Sequence, residues 1–199
     1  LALSLAPRVL GATVATGDVT PLPWTTSTYV YVGKTGEGML LIDAGTSVSP
    51  YHLSIGDSAG SNGAVRVTGA DSRWTTTGLI SVGTGGAGLM LVEDGGDVST
   101  WYGTIGSLPG STGAVTVSGP GSTWNSLYTL QVGREGGGSL TVSDGGRVGA
   151  GNLYSSLEDL HGDGTILAYG GVLDANLRFT SPVFPEALVG FGVGGQLKV

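Results

Sequence analysis

The fifty residues from Trp24 to Arg73 are followed without a gap by a second version of themselves, Trp74 to Thr123, with 21 of 50 aligned positions identical. A third copy opens at Trp124 and keeps the spacing through Val132, Gly133, Gly138, Leu140, Val142, Gly145 and Val148 before it loosens. A tandem period of this length constrains the fold more than any single residue. A unit that recurs in this way buries its apolar face against its neighbours in the array.

Each unit is itself two turns of a smaller pattern. Glycine anchors fall at Gly33, Gly56, Gly83, Gly106 and Gly133, spaced 23, 27, 23 and 27. Apolar residues alternate over short runs (Val30 and Val32, Leu40 and Ile42, Val65 and Val67), which is the period of a strand with one buried face. Turns such as Lys34-Thr35-Gly36-Glu37 and Ser58-Ala59-Gly60-Ser61-Asn62 separate the runs and supply the positive φ angles of sharp corners. Three short strands in about 25 residues make one circuit of a solenoid whose coils pair strand on strand. The expected fold is all-β, a right-handed parallel β-helix of about seven coils with the 50-residue repeat as a double coil. It forms one solenoid domain over residues 21–199, with clear repeats over 24–148 and degenerate coils over 149–199.

Glycine supplies 39 of 199 residues and charged side chains only 12%. Such a bias reads as disorder in an unpatterned chain, but here the 40% of hydrophobic residues recur in register, as a packed core requires. The net charge is −7 and the eight basic residues are scattered. They form no patch able to displace counterions from phosphates, so no nucleic acid partner is expected. Cysteine is absent, and its absence implies no redox compartment. No membrane span is expected.

Residues 1–20 lie outside the repeat, and two readings of them stand. Leu1-Ala2-Leu3-Ser4-Leu5-Ala6 followed by small residues resembles the end of a secretory signal. Alternatively, Leu1, Leu3 and Leu5 form one face of a strand that caps the first coil or adds to a neighbouring subunit. At the other end, Val189-Gly190 to Leu197 and Val199 match Val132-Gly133 to Leu140 and Val142 at an offset of 57. A solenoid end with unpaired backbone groups invites another molecule. Leu1, Leu3, Leu5, Leu197 and Val199 are therefore candidate assembly residues.

Several constellations suggest chemistry. Val32-Gly33-Lys34-Thr35-Gly36 lacks the earlier glycine of a phosphate loop, since Thr28 stands there, and the equivalent corners lose the Lys-Thr pair. Acidic corners at Asp43, Glu93-Asp94 with Asp97, and Asp144 could stack carboxylates for calcium, but Asp before Gly is the ordinary way to build a turn. No metal or other cofactor is expected. Hydrolysis of sugars would need paired carboxylates, for which Asp57, Asp71, Glu93, Asp94 and Asp97 are available. His161 between Asp159 and Asp163 is the best catalytic-looking cluster, yet a polar loop between coils explains it more cheaply.

The aromatic residues are more informative. Trp24, Trp74 and Trp124 share one register, the last two following Ser72 and Ser122, and read as corner plugs packed on neighbouring coils. A second set, Tyr51-His52, Trp101-Tyr102 and loosely Tyr154, falls at another corner. These rings either pack sideways over the coil or face solvent as a ladder suited to sugar faces or to another protein surface. Tyr51, His52, Trp101 and Tyr102 are the candidate binding residues.

The pattern V-G-x-x-G-x-G-x-L-x-V-x-x-G-G-x-V, with I-G-x-x-x-G-S-x-G-A-V-x-V-x-G-x-x-S-x-W after it, resembles the repeats of large bacterial secreted and surface proteins of the autotransporter-passenger kind. The closing segment, Gly162-Asp163-Gly164-Thr165-Ile166 through Val189-Gly190 to Gln196-Leu197, is similar to the segments that lie beyond such repeats. The resemblance covers roughly residues 24–199. It implies a β-solenoid displayed at the bacterial surface or secreted.

The expected role is non-enzymatic and structural: an extracellular stalk, matrix or filament subunit that self-associates head to tail. An adhesin or carbohydrate-binding passenger, with glycans or other surface proteins as partners of the aromatic corner, is the alternative. A polysaccharide-cleaving β-helix using Asp94 and Asp97 or the surroundings of His161 is the third reading.

Overall fold

The structure, a computed structural model, describes residues 13–155, 159–161, 165–168, 171–173, 177–179, 188–191 and 195–198. The repeat folds as expected into an all-β solenoid of stacked parallel coils of about 25 residues. Two short strands come first, β1 (Thr13–Gly17) and β2 (Val19–Thr20). The first coil then has three strands, β3 (Tyr29–Val32), β4 (Glu37–Ile42) and β5 (Ser47–Val48). The second has β6 (His52–Ile55), β7 (Asn62–Thr68) and β8 (Arg73–Thr75), and the third opens with β9 (Leu79–Val82) and β10 (Ala87–Glu93).

From there the last strand of one coil runs on into the first of the next. β11 (Asp97–Ile105), β13 (Thr123–Val132) and β15 (Arg147–Ser155) turn the corner without a break, with β12 (Thr112–Ser118) and β14 (Gly137–Ser143) between them. After these come β16 (Leu160–His161), β17 (Thr165–Ala168), β18 (Gly171–Leu173), β19 (Leu177–Phe179), β20 (Leu188–Phe191) and β21 (Gly195–Lys198).

Five inner columns make the core: Ile42, Val67, Val92, Val117 and Val142 form one, Val32, Ile55, Val82, Ile105 and Val132 another, and three more accompany them. One carries Leu40, Val65, Met90, Val115, Leu140 and Leu160 from β4, β7, β10, β12, β14 and β16. A second carries Val30, Leu53, Ile80, Gly103, Leu130 and Leu153. In the third, valine and tryptophan alternate: Val48, Trp74, Val98, Trp124, Val148. Both of these tryptophans are fully buried, as corner plugs should be. Their alternation with valine is why the period is fifty residues rather than twenty-five. Corners after a tryptophan also hold one residue more: Thr75 to Leu79 lie between Trp74 and Ile80, whereas Ser99 to Tyr102 lie between Val98 and Gly103. The register shifts by a residue at that point, as a bulge requires.

The anchor glycines are steric necessities. Gly56, Gly83 and Gly106 have φ of 65°, 70° and 71°, and a methyl group on any of them would lie within 2.3 Å of a carbonyl oxygen of the adjacent coil. Ser72 and Ser122, fully buried, accept the N–H of Gly45 and Gly95 through their hydroxyls (3.1 and 3.0 Å) and so fasten each acidic corner to the coil above it.

The first coil is covered by antiparallel strands, β1 on β4 and β2 on β3. Asp18, between them, joins the two: its backbone receives Gly33 N–H and donates to Glu37 O, and its carboxylate accepts the N–H of Thr35 and Gly36. Those amides, Thr35 first, hold the Asp18 carboxyl below its ordinary value. At the far end regular winding gives way to reversals, with β19 antiparallel to β18 and β20 antiparallel to β21. The solenoid therefore makes about five turns instead of seven. Among the described residues no helix is long and apolar enough to cross a membrane.

Candidate functional site

The corner between the last strand of one coil and the first strand of the next gathers the aromatic side chains. Tyr51 and His52 join Tyr29 in one cluster, with ring centroids 5.4 Å apart for Tyr29 and Tyr51, 4.6 Å for Tyr29 and His52, and 4.2 Å for Tyr51 and His52. His52 lies across Gly78 of the next coil, where a methyl group would meet its ring at 2.7 Å, and its Nδ1 accepts Leu79 N–H at 2.7 Å. Burial holds this imidazole below its ordinary pKa. Here the rings do pack sideways over the coil.

Two coils further on, Trp101 and Tyr102 behave differently. Both face solvent, 41% and 46% exposed. Tyr128 of the adjacent coil stands edge-on to Trp101 at 5.8 Å and beside Tyr102 at 5.3 Å. Between the two clusters the corner carries Thr76, Thr77 and Gly78, so the rings form two groups rather than one unbroken ladder. Tyr29 and Tyr128 are not among the expected residues, because neither has an aromatic counterpart at an offset of fifty. The usable signal is the spacing of adjacent coils, which sets Tyr29 opposite His52.

A groove of about 440 Å³ crosses four coils beside Trp101. One side is a ladder of outward side chains, Thr75, Ser99 and Asn125, ending at Gly149, paired residue to residue across β8, β11, β13 and β15. The other is formed by Thr77, Trp101, Leu127 and Gly151. Beneath them Thr76, Thr100 and Ser126 point inward, buried and internally bonded: Thr76 donates to Thr100, Thr100 to Gly78 O and Tyr102 O, Ser126 to Thr129 O. These buried hydroxyls stiffen the floor and leave the outer polar ladder available.

Four of the five candidate carboxylates are engaged elsewhere; the fifth, Asp71, sits at a corner with φ of 66°. Glu93 pairs with Arg66 at 2.7 Å, Asp97 with Arg73 at 3.0 Å and with the Thr123 hydroxyl, Asp94 accepts from Thr68, and Asp57 from Ser54. Asp94 and Asp144 sit at φ of 52°, the left-handed conformation that suits Asp in a turn. Among the described residues no group of three or more His, Cys, Asp or Glu is placed to hold a metal ion. The amides of the Lys34-Thr35-Gly36 corner are occupied by Asp18, and Lys34 lies over the Tyr31 ring. Of the cluster around His161, Asp163 and the His161 side chain lie outside the described residues, as do Leu1, Leu3, Leu5 and Val199. Leu197 belongs to β21, which has β17 on one side and β20 on the other.

No family model matches the chain, and no curated protein or solved structure matches it. What stands is the class defined by the fold, a parallel β-solenoid repeat protein.

Proposed function

We propose that this chain is a non-enzymatic, extracellular structural protein, a building block of a stalk or matrix at the surface of a bacterial cell. The observation that carries the reading is the set of inner columns running through coil after coil. A body stabilised by neighbour-on-neighbour stacking is stiff, and its length scales with its coil number. About five turns at the strand spacing of ~4.8 Å give roughly 24 Å along the axis, and joining such bodies end to end multiplies that reach. The pairing of carboxylates with Arg66 and Arg73 favours a structural use of those groups over hydrolysis. The resemblance of the repeats to autotransporter-type passengers supports the surface location.

Among the described residues β1 is the outermost strand of its sheet at the first coil, and we place the end-to-end contact on its outer edge. That strand, Thr13-Val14-Ala15-Thr16-Gly17, carries neither charge nor proline, the usual protections of an edge. Negative-stain electron microscopy and sedimentation velocity over a concentration series test the proposal. Linear assemblies that lengthen with concentration and shorten on Val14→Lys are expected. Monomers at every concentration would remove self-assembly from the role.

A further inference from the structure

We infer that the groove beside Trp101 binds a linear, uncharged oligosaccharide laid along the solenoid axis, a binding activity additional to the structural role. The geometry supplies what such a ligand needs. Trp101 offers an indole already held in place by Tyr128 at 5.8 Å, so little side-chain freedom is lost when a sugar face stacks on it. Opposite the ring, Thr75, Ser99 and Asn125 stand one per coil at the strand spacing of ~4.8 Å. They present hydroxyl and amide groups that both donate and accept hydrogen bonds, as the hydroxyls of a sugar chain do. Gly149 and Gly151 leave the end of the groove without side chains.

The lining selects among ligands. Its residues include no ionisable side chain, so an acidic polysaccharide would lose hydration without gaining a cationic partner. An extended peptide is disfavoured for a separate reason: peptides bind sheets through main-chain hydrogen bonds at an open edge, and β8, β11 and β13 each have strand neighbours on both sides. Side-chain hydroxyls and one indole recognise a neutral sugar chain better than either.

The test is isothermal titration, with tryptophan fluorescence in parallel, of the full chain against cellohexaose, laminarihexaose, mannohexaose and chitohexaose. Heparin, oligogalacturonate and a Gly/Ser/Thr-rich extended peptide complete the panel. Trp74 and Trp124 are fully buried and the partly buried Trp24 does not line the groove, so a fluorescence change on binding reports chiefly on Trp101. Saturable binding of at least one neutral hexasaccharide is expected, weakened at least tenfold in Trp101→Ala and several-fold in Asn125→Ala. Met39→Ala, at an exposed residue of β4, should bind like the parent. Asn125 is exposed, so its variant keeps the test decisive should Trp101→Ala fold poorly; circular dichroism checks both. Silence from all four neutral sugars overturns the inference. So does binding that survives both substitutions, a response confined to the acidic polymers, or one confined to the peptide. None of these results bears on whether the bodies join end to end.

Discussion

Trp124 packs over Gly103: a methyl group on Gly103 would lie 2.9 Å from Cζ2 of the indole and 2.8 Å from Cδ1 of Leu130. Other positions of this inner column carry Val30, Leu53, Ile80, Leu130 and Leu153. The glycine thus yields the volume that the large ring of the next coil occupies. Gly103→Val should destabilise the solenoid by about 1–3 kcal/mol through overpacking. In a Trp124→Leu background the same substitution should cost less, with a coupling of about 0.5 kcal/mol or more in a double-mutant cycle read by urea unfolding. Strict additivity would mean that ring and glycine do not share the space.

The glycines of positive φ should separate into two kinds when replaced by alanine. At Gly56 the φ of 65° is joined by a carbonyl oxygen 2.1 Å from the new methyl group, whereas at Gly60, with φ of 80°, nothing lies within 4 Å. Gly60→Ala should therefore cost only the left-handed backbone penalty of about 1–2 kcal/mol. Gly56→Ala must in addition push two coils apart, and should leave the chain unfolded or markedly less stable. Thermal unfolding monitored by circular dichroism distinguishes them, and equal losses would refute the steric account.

This contrast shows what the sequence makes legible. Gly56 recurs in register with Gly33, Gly83, Gly106 and Gly133, and so declares itself an architectural position; the apolar alternation of the columns is equally plain. Both are properties of one strand and its turn, repeated. The groove is not of that kind. Thr75, Ser99, Asn125 and Gly149 become neighbours through coil stacking at offsets of 24 to 26 residues, whereas comparison at the fifty-residue period sets Thr75 against Asn125 and Ser99 against Gly149, two coils apart and different in type, and so passes over the neighbours. Tyr128 escapes notice because it sits in the extra residue of a bulged corner. The coil number is overestimated because the apolar spacing of Val189 to Leu197 copies that of a coil, while β20 and β21 in fact run antiparallel.

Ser122 should matter more than a small polar side chain usually does. It is fully buried, and its hydroxyl accepts the N–H of Gly95, at the acidic corner of the preceding coil. Ser122→Ala leaves that amide without this partner, a loss of about 1–3 kcal/mol. Ser72→Ala, which releases Gly45, should lose a similar amount. Hydrogen exchange offers a local readout: the Gly95 amide should exchange faster in Ser122→Ala but not in Ser72→Ala. Unchanged protection would show that the corner holds without the serine.

His52 gives the solenoid a dependence on mild acid. Burial is the main reason its pKa lies below the ordinary 6.5, with the Leu79 carbonyl, 3.4 Å from Nδ1, pulling weakly the other way. The shorter contact settles the tautomer: Leu79 N–H donates to Nδ1 at 2.7 Å, which requires that nitrogen to be unprotonated. Tyr29 and Tyr51 are the rings packed against the imidazole, Tyr29 tilted and Tyr51 edge-on. Below 6.5 the unfolded chain therefore takes up a proton that the folded chain resists. Unfolding is then favoured by acid, so the His52 contribution is complete above 6.5 and declines as pH falls toward the lowered folded-state value. Melting temperatures of the parent and of His52→Asn, measured from pH 7.5 down to pH 5, should converge or cross because the parent loses stability faster. Parallel curves would show that protonation of His52 does not oppose folding.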